Sequence, residues 1–208
     1  MFGSLNLDGA ANLENSVLHV NGKSDLANGV LDFDFKDGVL VAKGSKLATS
    51  EILKMLSYPE VFFANIDANF NYDTKKQYGN FNATSPKGTL AQNQLGLLIM
   101  PLLKVDITKE EYKIDANGTL NKELIKFMFD MEAQNSFIEA KNGQINAGVL
   151  HIPLALKISN RDLNATISGK GDNIKVSLDG SAYVKDKITE TLQDNNTKQK
   201  IQDVLKKL

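Results

Sequence analysis

Alternation of apolar and polar residues recurs along most of this chain and constrains its fold more than any other feature. The clearest stretch is 65–72, where apolar residues at even positions alternate with Asn and Asp at odd positions. Successive side chains of a strand point to opposite faces, so this stretch predicts a sheet with one apolar and one polar face. Asp37-Gly38, between two further alternating stretches, is a strong hairpin signal. We therefore expect a mainly β fold, built as a long, curved, groove-like antiparallel sheet.

Helical periodicity interrupts the strands in short insertions. Thr49 or Ser50 is expected to cap a short helix that ends before Pro59. A second helix is expected over about 91–103, with a bend or an early end at Pro101, because proline lacks the N–H that a helix interior needs. A further helical turn is expected at 108–111.

Several boundaries follow from turn residues. Residues 3–21 are expected to form two strands joined near Gly9-Ala10, and 85–88 is expected to break the sheet. We expect one domain over 1–208, with 86–111 as the place where a second unit would begin. An apolar stripe among lysines predicts a helix over 184–208 that caps the open sheet, the alternative being a helix lying on an anionic membrane.

Composition excludes several classes of function. The formal net charge of the 208 residues is −1, which argues against nucleic acid as a partner. The chain has no Cys, so disulfides and thiolate metal sites are excluded. The most apolar stretch, 95–103, is far shorter than the roughly 20 residues of a membrane-spanning helix. Because Met1 leads directly into a strand pattern, we expect either a cytosolic protein or one that has lost an N-terminal export segment.

Catalytic constellations are missing from the sequence. It contains no phosphate-binding glycine loop, nucleophile elbow or HExxH motif. His19 and His151 are the only histidines and lie far apart, whereas a zinc site needs three or four ligands. Asp32 and Asp34 share the polar face of one strand, where solvation explains them. We therefore expect no enzyme activity, no cofactor and no metal.

Two segments match the extended bacterial N-glycosylation pattern, in which an acidic residue stands two positions before the asparagine. They place candidate acceptors at Asn117 and Asn164. The alternative is chance, because a β-protein rich in Asn and Thr contains such triplets without any glycosylation.

The order of elements, together with four short motifs, resembles a known family. The motifs are SEILKMLSYP at 50–59, LGLL at 95–98, KVDITKE at 104–110 and DGSAY at 179–183. Over about 29–208 the chain resembles the C-terminal region of AsmA-like proteins, a family of bacterial envelope proteins. The resemblance implies a periplasmic location, a groove-shaped sheet and an N-terminal inner-membrane anchor. The chain shows no such anchor, from which we expect it to be a fragment of a longer protein.

The resemblance also implies a function, because large members of this family are implicated in moving phospholipid between membranes along an apolar groove. A one-faced sheet supports such a groove physically, since extensive exposed apolar surface normally marks a binding site. The residues expected to line it are Phe33, Phe35, Ile66, Phe70, Phe127, Phe129, Ile152, Leu154 and Leu156. The alternative for each of them is an ordinary core position under the helices.

The expected function is non-enzymatic. The protein would hold or transfer a phospholipid or another apolar ligand along the sheet, or organise the outer membrane. The alternative is a structural or adhesion β-module that closes on itself and binds protein partners.

Overall fold

A computed structural model of the protein describes residues 7–92, 94–171 and 173–179. In this part of the chain, twelve antiparallel strands form one sheet whose spatial order is the order of the sequence. The strands are β1 (Leu7–Glu14), β2 (Val17–Leu26), β3 (Gly29–Lys36), β4 (Val39–Ala48), β5 (Phe62–Asp73), β6 (Tyr78–Leu90), β7 (Tyr112–Asn121), β8 (Leu124–Glu132), β9 (Ser136–Asn146), β10 (Val149–Ile158), β11 (Arg161–Lys170) and β12 (Lys175–Asp179). The predicted mainly β antiparallel architecture is confirmed.

Two short helices and one 3₁₀ turn interrupt the strands. Helix α1 (Thr49–Met55) separates β4 from β5, and helix α2 (Gln94–Leu103) with a 3₁₀ turn (Ile107–Lys109) separates β6 from β7. Strands β6 and β7 pair directly, so the sheet continues across this insertion. The helix predicted for 184–208 lies outside the described residues.

Five of the eleven connections between neighbouring strands of the described sheet are two-residue turns of the same type. In five two-residue turns both residues have a positive φ, at Asn15-Ser16, Ala27-Asn28, Asp37-Gly38, Ala147-Gly148 and Ser159-Asn160. Positive φ at both central residues defines the type I′ turn, whose twist matches the right-handed twist of paired strands. The hairpin predicted at Asp37-Gly38 is therefore confirmed.

The turn expected near Gly9-Ala10 is wrong. Strand β1 runs straight through these residues, and the chain reverses at Asn15-Ser16 instead. Gly9 faces Gly22 of β2, and a Cβ at Gly9 would collide with the backbone of Asn21. This glycine therefore allows two strands to approach closely rather than making a turn.

The sheet break expected at 85–88 is also wrong, because β6 continues to Leu90. A β-bulge accommodates Pro86, since the β6–β7 register shifts between Ser85 and Gly88. The buried Ser85 hydroxyl lies 2.9 Å from the carbonyl oxygens of both Asn65 and Lys87 and holds the bulge in place. At a bulge, the missing proline N–H does not remove a ladder hydrogen bond.

The two helices depart from expectation in detail. No side chain caps the start of α1. The Thr49 hydroxyl instead donates to the Phe62 carbonyl (2.8 Å) and accepts from the Ala64 N–H (2.9 Å), which fastens α1 to β5. Helix α2 runs two residues beyond Pro101, to Leu103, so the early end at Pro101 did not occur.

The buried core lies in the C-terminal half of the sheet. Leu95 and Ile99 of α2 and Ile107 of the 3₁₀ turn share one cluster with side chains from every strand between β7 and β12. Helix α2 packs against β12 and the 3₁₀ turn, and buried side chains of these elements and of the C-terminal strands form one continuous core.

Candidate functional site

The inward side chains of β2 to β6 form an apolar surface that the described elements leave partly exposed. We call this surface the open floor. It consists of Val20, Leu31, Phe33, Phe35, Leu40, Ile66, Phe70, Tyr72 and Phe81, all of intermediate exposure. None of them belongs to the core cluster around α2. In the part of the chain that the structure describes, one face of the sheet therefore carries a buried core in its C-terminal half and a partly exposed apolar surface in its N-terminal half.

The open floor carries no charge. Inward positions of β2 to β6 alternate with outward ones, and every Asp, Glu, Lys and His of these strands falls on the outward face, in an exposed bulge or at a strand end. Ion pairs lie outside the floor, such as Lys23 with Asp32 (3.0 Å) on the outward face and Lys75 with Asp37 (2.6 Å) at the turns. An uncharged surface of this kind favours a neutral, apolar occupant.

Aromatic rings lie across glycines of neighbouring strands. Register pairs Phe33 with Gly22, Tyr72 with Gly79, and Phe81 with Gly118. A Cβ added at these glycines would meet the ring at 3.2, 2.8 and 2.6 Å respectively. The rings thus occupy space that a side chain would otherwise take, an arrangement that protects strand glycines in designed sheets. The open floor is consequently flat, because its largest side chains lie along the sheet and do not project from it.

A lane of small residues crosses the floor at right angles to the strands. Gly44 pairs with Ala68, Ala68 with Ala83, and Ala83 with Ala116. Two residues away on one side, about 7 Å along each strand, lies the row that contains Phe70 and Phe81. A row of larger side chains thus borders one side of the lane, and the Leu47 side chain lies over Gly44 at its β4 end.

The structure divides the nine predicted lining residues into three groups. Four lie on the open floor, namely Phe33, Phe35, Ile66 and Phe70. Two, Phe127 and Phe129, stack with ring centroids 6.4 Å apart at the margin of the core cluster. The remaining three, Ile152, Leu154 and Leu156, are buried in the core cluster that α2 shares. Only the first group lies on the surface that the described elements leave partly exposed, and we restrict the candidate site to it and its neighbours.

Apolar side chains are also exposed at one end of the floor. Helix α1 packs on β4 and β5. Met55, Leu56 and Val61, at or just beyond its C-terminal end, are 55%, 61% and 41% exposed. The end of the floor at α1 thus has an apolar rim.

A buried polar network lies at the start of β7. The Tyr112 hydroxyl is 2.8 Å from the Ser136 hydroxyl and 3.0 Å from the Ile107 carbonyl oxygen, and Ser136 donates to Glu110 at 2.6 Å. Burial raises the pKa of Tyr112 to about 12. Because Tyr112 has no exposed surface, no substrate reaches its hydroxyl, and the network joins β7, β9 and the 3₁₀ turn structurally.

The outward face holds the other sequence candidates. Asn117 and Asn164 are exposed in the middle of β7 and β11, so both glycosylation candidates lie within strands rather than in turns. His19 Nε2 is 2.8 Å from Asp34 Oδ2, and His151 lies far away on β10. Among the residues that the structure describes, no group of three His, Cys, Asp or Glu could hold a metal ion.

Sequence reasoning missed the aromatic–glycine pairs and the Tyr112 network. The glycines carried a signal, since Gly22, Gly79 and Gly118 occupy apolar-face positions of alternating strands, where glycine often marks a close approach. To predict which ring lies over which glycine, the register between neighbouring strands must be known, and the residue pattern within one strand does not specify it.

Comparisons with protein-family models, with curated proteins and with solved structures gave no match. Within the described ranges, no helix is both long enough and apolar enough to cross a membrane.

Proposed function

We propose that this protein is a non-enzymatic carrier that holds a lipid or another apolar ligand on the open floor. The observation that supports the proposal is an uncharged, partly exposed apolar surface of nine side chains beside a half-sheet whose apolar side chains are buried in a core that includes helix α2. Monomeric proteins rarely leave large contiguous apolar surfaces uncovered without a functional reason.

A hydrocarbon chain fits the shape of this surface. Rings that lie across glycines keep this surface flat, and the lane through Ala68, Ala83 and Ala116 runs beside a row of larger side chains. Covering roughly 200 Å² of apolar surface contributes about 5 kcal/mol before the cost of ordering the ligand. An acyl chain along the lane would supply such contacts without any hydrogen-bonding requirement, and its polar end would reach solvent beyond the floor.

The resemblance to AsmA-like proteins supports the same assignment. We propose that the chain belongs to this family, acts in the periplasm as part of an inner-membrane-tethered protein, and contributes to lipid transport or outer-membrane organisation. The apolar rim near Met55 and Leu56 would bring the end of the floor close to a membrane or to a continuing groove.

Single-tryptophan variants test ligand binding at the floor directly, because the chain contains no Trp. Phe70→Trp places the reporter on the floor. Phe63→Trp places it on the same strand but on the outward face, where Phe63 is 44% exposed. A fatty acid with a dibrominated chain, added below its micelle concentration, quenches tryptophan only on contact.

We expect saturable quenching of Phe70→Trp that an unbrominated fatty acid reverses, and no saturable quenching of Phe63→Trp. Equal responses from both variants would indicate nonspecific adsorption and contradict the proposal. No response from either variant would also contradict it, and would favour the structural or adhesion module.

A further inference from the structure

The two edge strands of the described sheet, β1 and β12, differ in how their outward backbone groups are hydrogen-bonded. At the β12 edge, the Gln94 side-chain oxygen accepts the backbone N–H of Val176 at 3.1 Å, and helix α2 packs against the strand. Part of the hydrogen-bonding capacity of that edge is therefore used within the chain. At the β1 edge, alternate N–H and C=O groups point away from β2. No described element pairs with them.

Strand β1 also has few of the features that normally protect an edge, since its charged residues are Asp8 and Glu14, at or next to its ends. It contains no Pro and no Lys, and its pairing with β2 is unbroken over all eight residues, without a bulge. Natural edge strands usually carry at least one such device. At the corner of the apolar face, Leu13 is 69% exposed and its cross-strand neighbour Leu18 is 46% exposed. Strand β1 is thus open to pairing by another strand.

We propose that β1 pairs with β1 of a second copy of this chain, antiparallel and about a two-fold axis through Ala10. In this register, Ala10 faces Ala10, Ala11 faces Gly9, and Asp8 faces Asn12 of the second copy. Small residues then meet small residues, and a carboxylate meets an amide that can donate to it. The strand is complementary to itself, as a two-fold interface requires.

Charge selects this register over its competitor. Only registers that pair even with even and odd with odd positions keep both apolar faces on one side. Two of these give the longest overlap of β1 with itself, centred on Ala10 or on Ala11. Centring on Ala11 places Asp8 opposite Glu14 twice, and like charges directly opposite each other are destabilising.

The dimer would join the two open floors into one continuous apolar surface and cover both exposed Leu13–Leu18 corners. This inference stands independently of ligand binding, because it depends on the edge backbone and the side chains of β1. A dimer without ligand binding, or ligand binding by a monomer, would separate the two proposals.

Sedimentation velocity over a concentration series tests the assembly, for which the monomer mass is 22.8 kDa. We expect the wild type to show a monomer–dimer equilibrium. Asn12→Asp places two carboxylates opposite each other at both ends of the interface and should weaken the dimer by roughly tenfold. The exchange variant Asp8→Asn with Asn12→Asp has the wild-type charge and should restore it. Circular dichroism confirms that each variant is folded.

Cysteine variants test the register, because the chain has no native Cys. Under mild oxidation, Ala10→Cys should give a covalent dimer, whereas Ala11→Cys and the β12 control Ser177→Cys should stay monomeric. A wild-type protein that remains monomeric up to high micromolar concentration would overturn the inference. A dimer that Asn12→Asp leaves intact, or one that crosslinks best through Ser177→Cys, would overturn it as well.

Discussion

Replacing Ile99 by alanine tests whether helix α2 fills the C-terminal half of the sheet. Ile99 has no exposed surface and belongs to the cluster that reaches from β7 to β12. Its neighbour Met100 points to the other side of the helix and is 42% exposed. The two residues therefore give a buried site and a matched exposed site on one turn of the same helix.

The expected cost follows from the lost contacts. Isoleucine has three more carbon atoms than alanine, and at about 0.8 kcal/mol per buried carbon their transfer accounts for about 2.4 kcal/mol. The cavity left behind adds a further term that depends on how far the surroundings relax, so the measured range for such changes is about 2–5 kcal/mol. We expect Ile99→Ala to lower the free energy of unfolding by about 3 kcal/mol, and Met100→Ala by less than about 1 kcal/mol.

Urea unfolding followed by far-ultraviolet circular dichroism measures both variants against the wild type. If the slope of unfolding free energy against urea concentration is the same in all proteins and only the midpoint concentration shifts, the substitution has changed stability and not the unfolding transition itself. A domain of this size should also lose about 6–12 °C in melting temperature for Ile99→Ala. A loss below roughly 0.5 kcal/mol for Ile99→Ala, against the roughly 3 kcal/mol expected, or an equal loss for Met100→Ala, would refute the position of α2 in the core.

Two further substitutions test features that the fold depends on. Tyr112→Phe should cost about 1–2 kcal/mol at neutral pH, because it removes the buried hydroxyl bound to Ser136. Since the folded pKa of Tyr112 is raised to about 12, the wild type loses this group's contribution as the pH rises from about 10 to 12, and the deficit of the variant should shrink over that interval; a constant deficit would contradict this. Gly118→Val should destabilise the sheet by about 1–3 kcal/mol in thermal unfolding, because its Cβ would stand 2.5 Å from the Lys126 carbonyl oxygen and 2.6 Å from the Phe81 ring; an unchanged melting temperature would contradict this close packing.

Much of the sheet was predictable because the alternation of apolar and polar residues in a strand can be read from a few consecutive residues. Alternation over 65–72 predicted the long strand β5, and Asp37-Gly38 predicted the hairpin of β3 and β4. The errors came from residues with two roles. Gly9 permits close strand approach as well as turns, and Pro86 is tolerated in a bulge as well as in a loop.

The extent of the candidate site was not predictable from the pattern. Alternation identifies the apolar face of β10 and of β5 equally well, yet Leu154 is buried in the cluster with α2 and Phe70 lies on the open floor. The difference arises because α2 packs against β12 and the 3₁₀ turn at one end of the sheet. The apolar stripe of a helix indicates that this side of the helix is buried, but it does not identify the strands against which the helix packs.

The most direct test of the central claim is a map of where a bound acyl chain contacts the protein. A fatty acid with a photoactivatable diazirine in its chain would be crosslinked to the purified protein, and the labelled peptides identified by mass spectrometry. The account predicts labels in β3 to β6, around Phe33, Phe70 and Phe81, which an excess of unmodified fatty acid suppresses. Labels confined to β9 to β11, or labelling that competitor does not reduce, would contradict it.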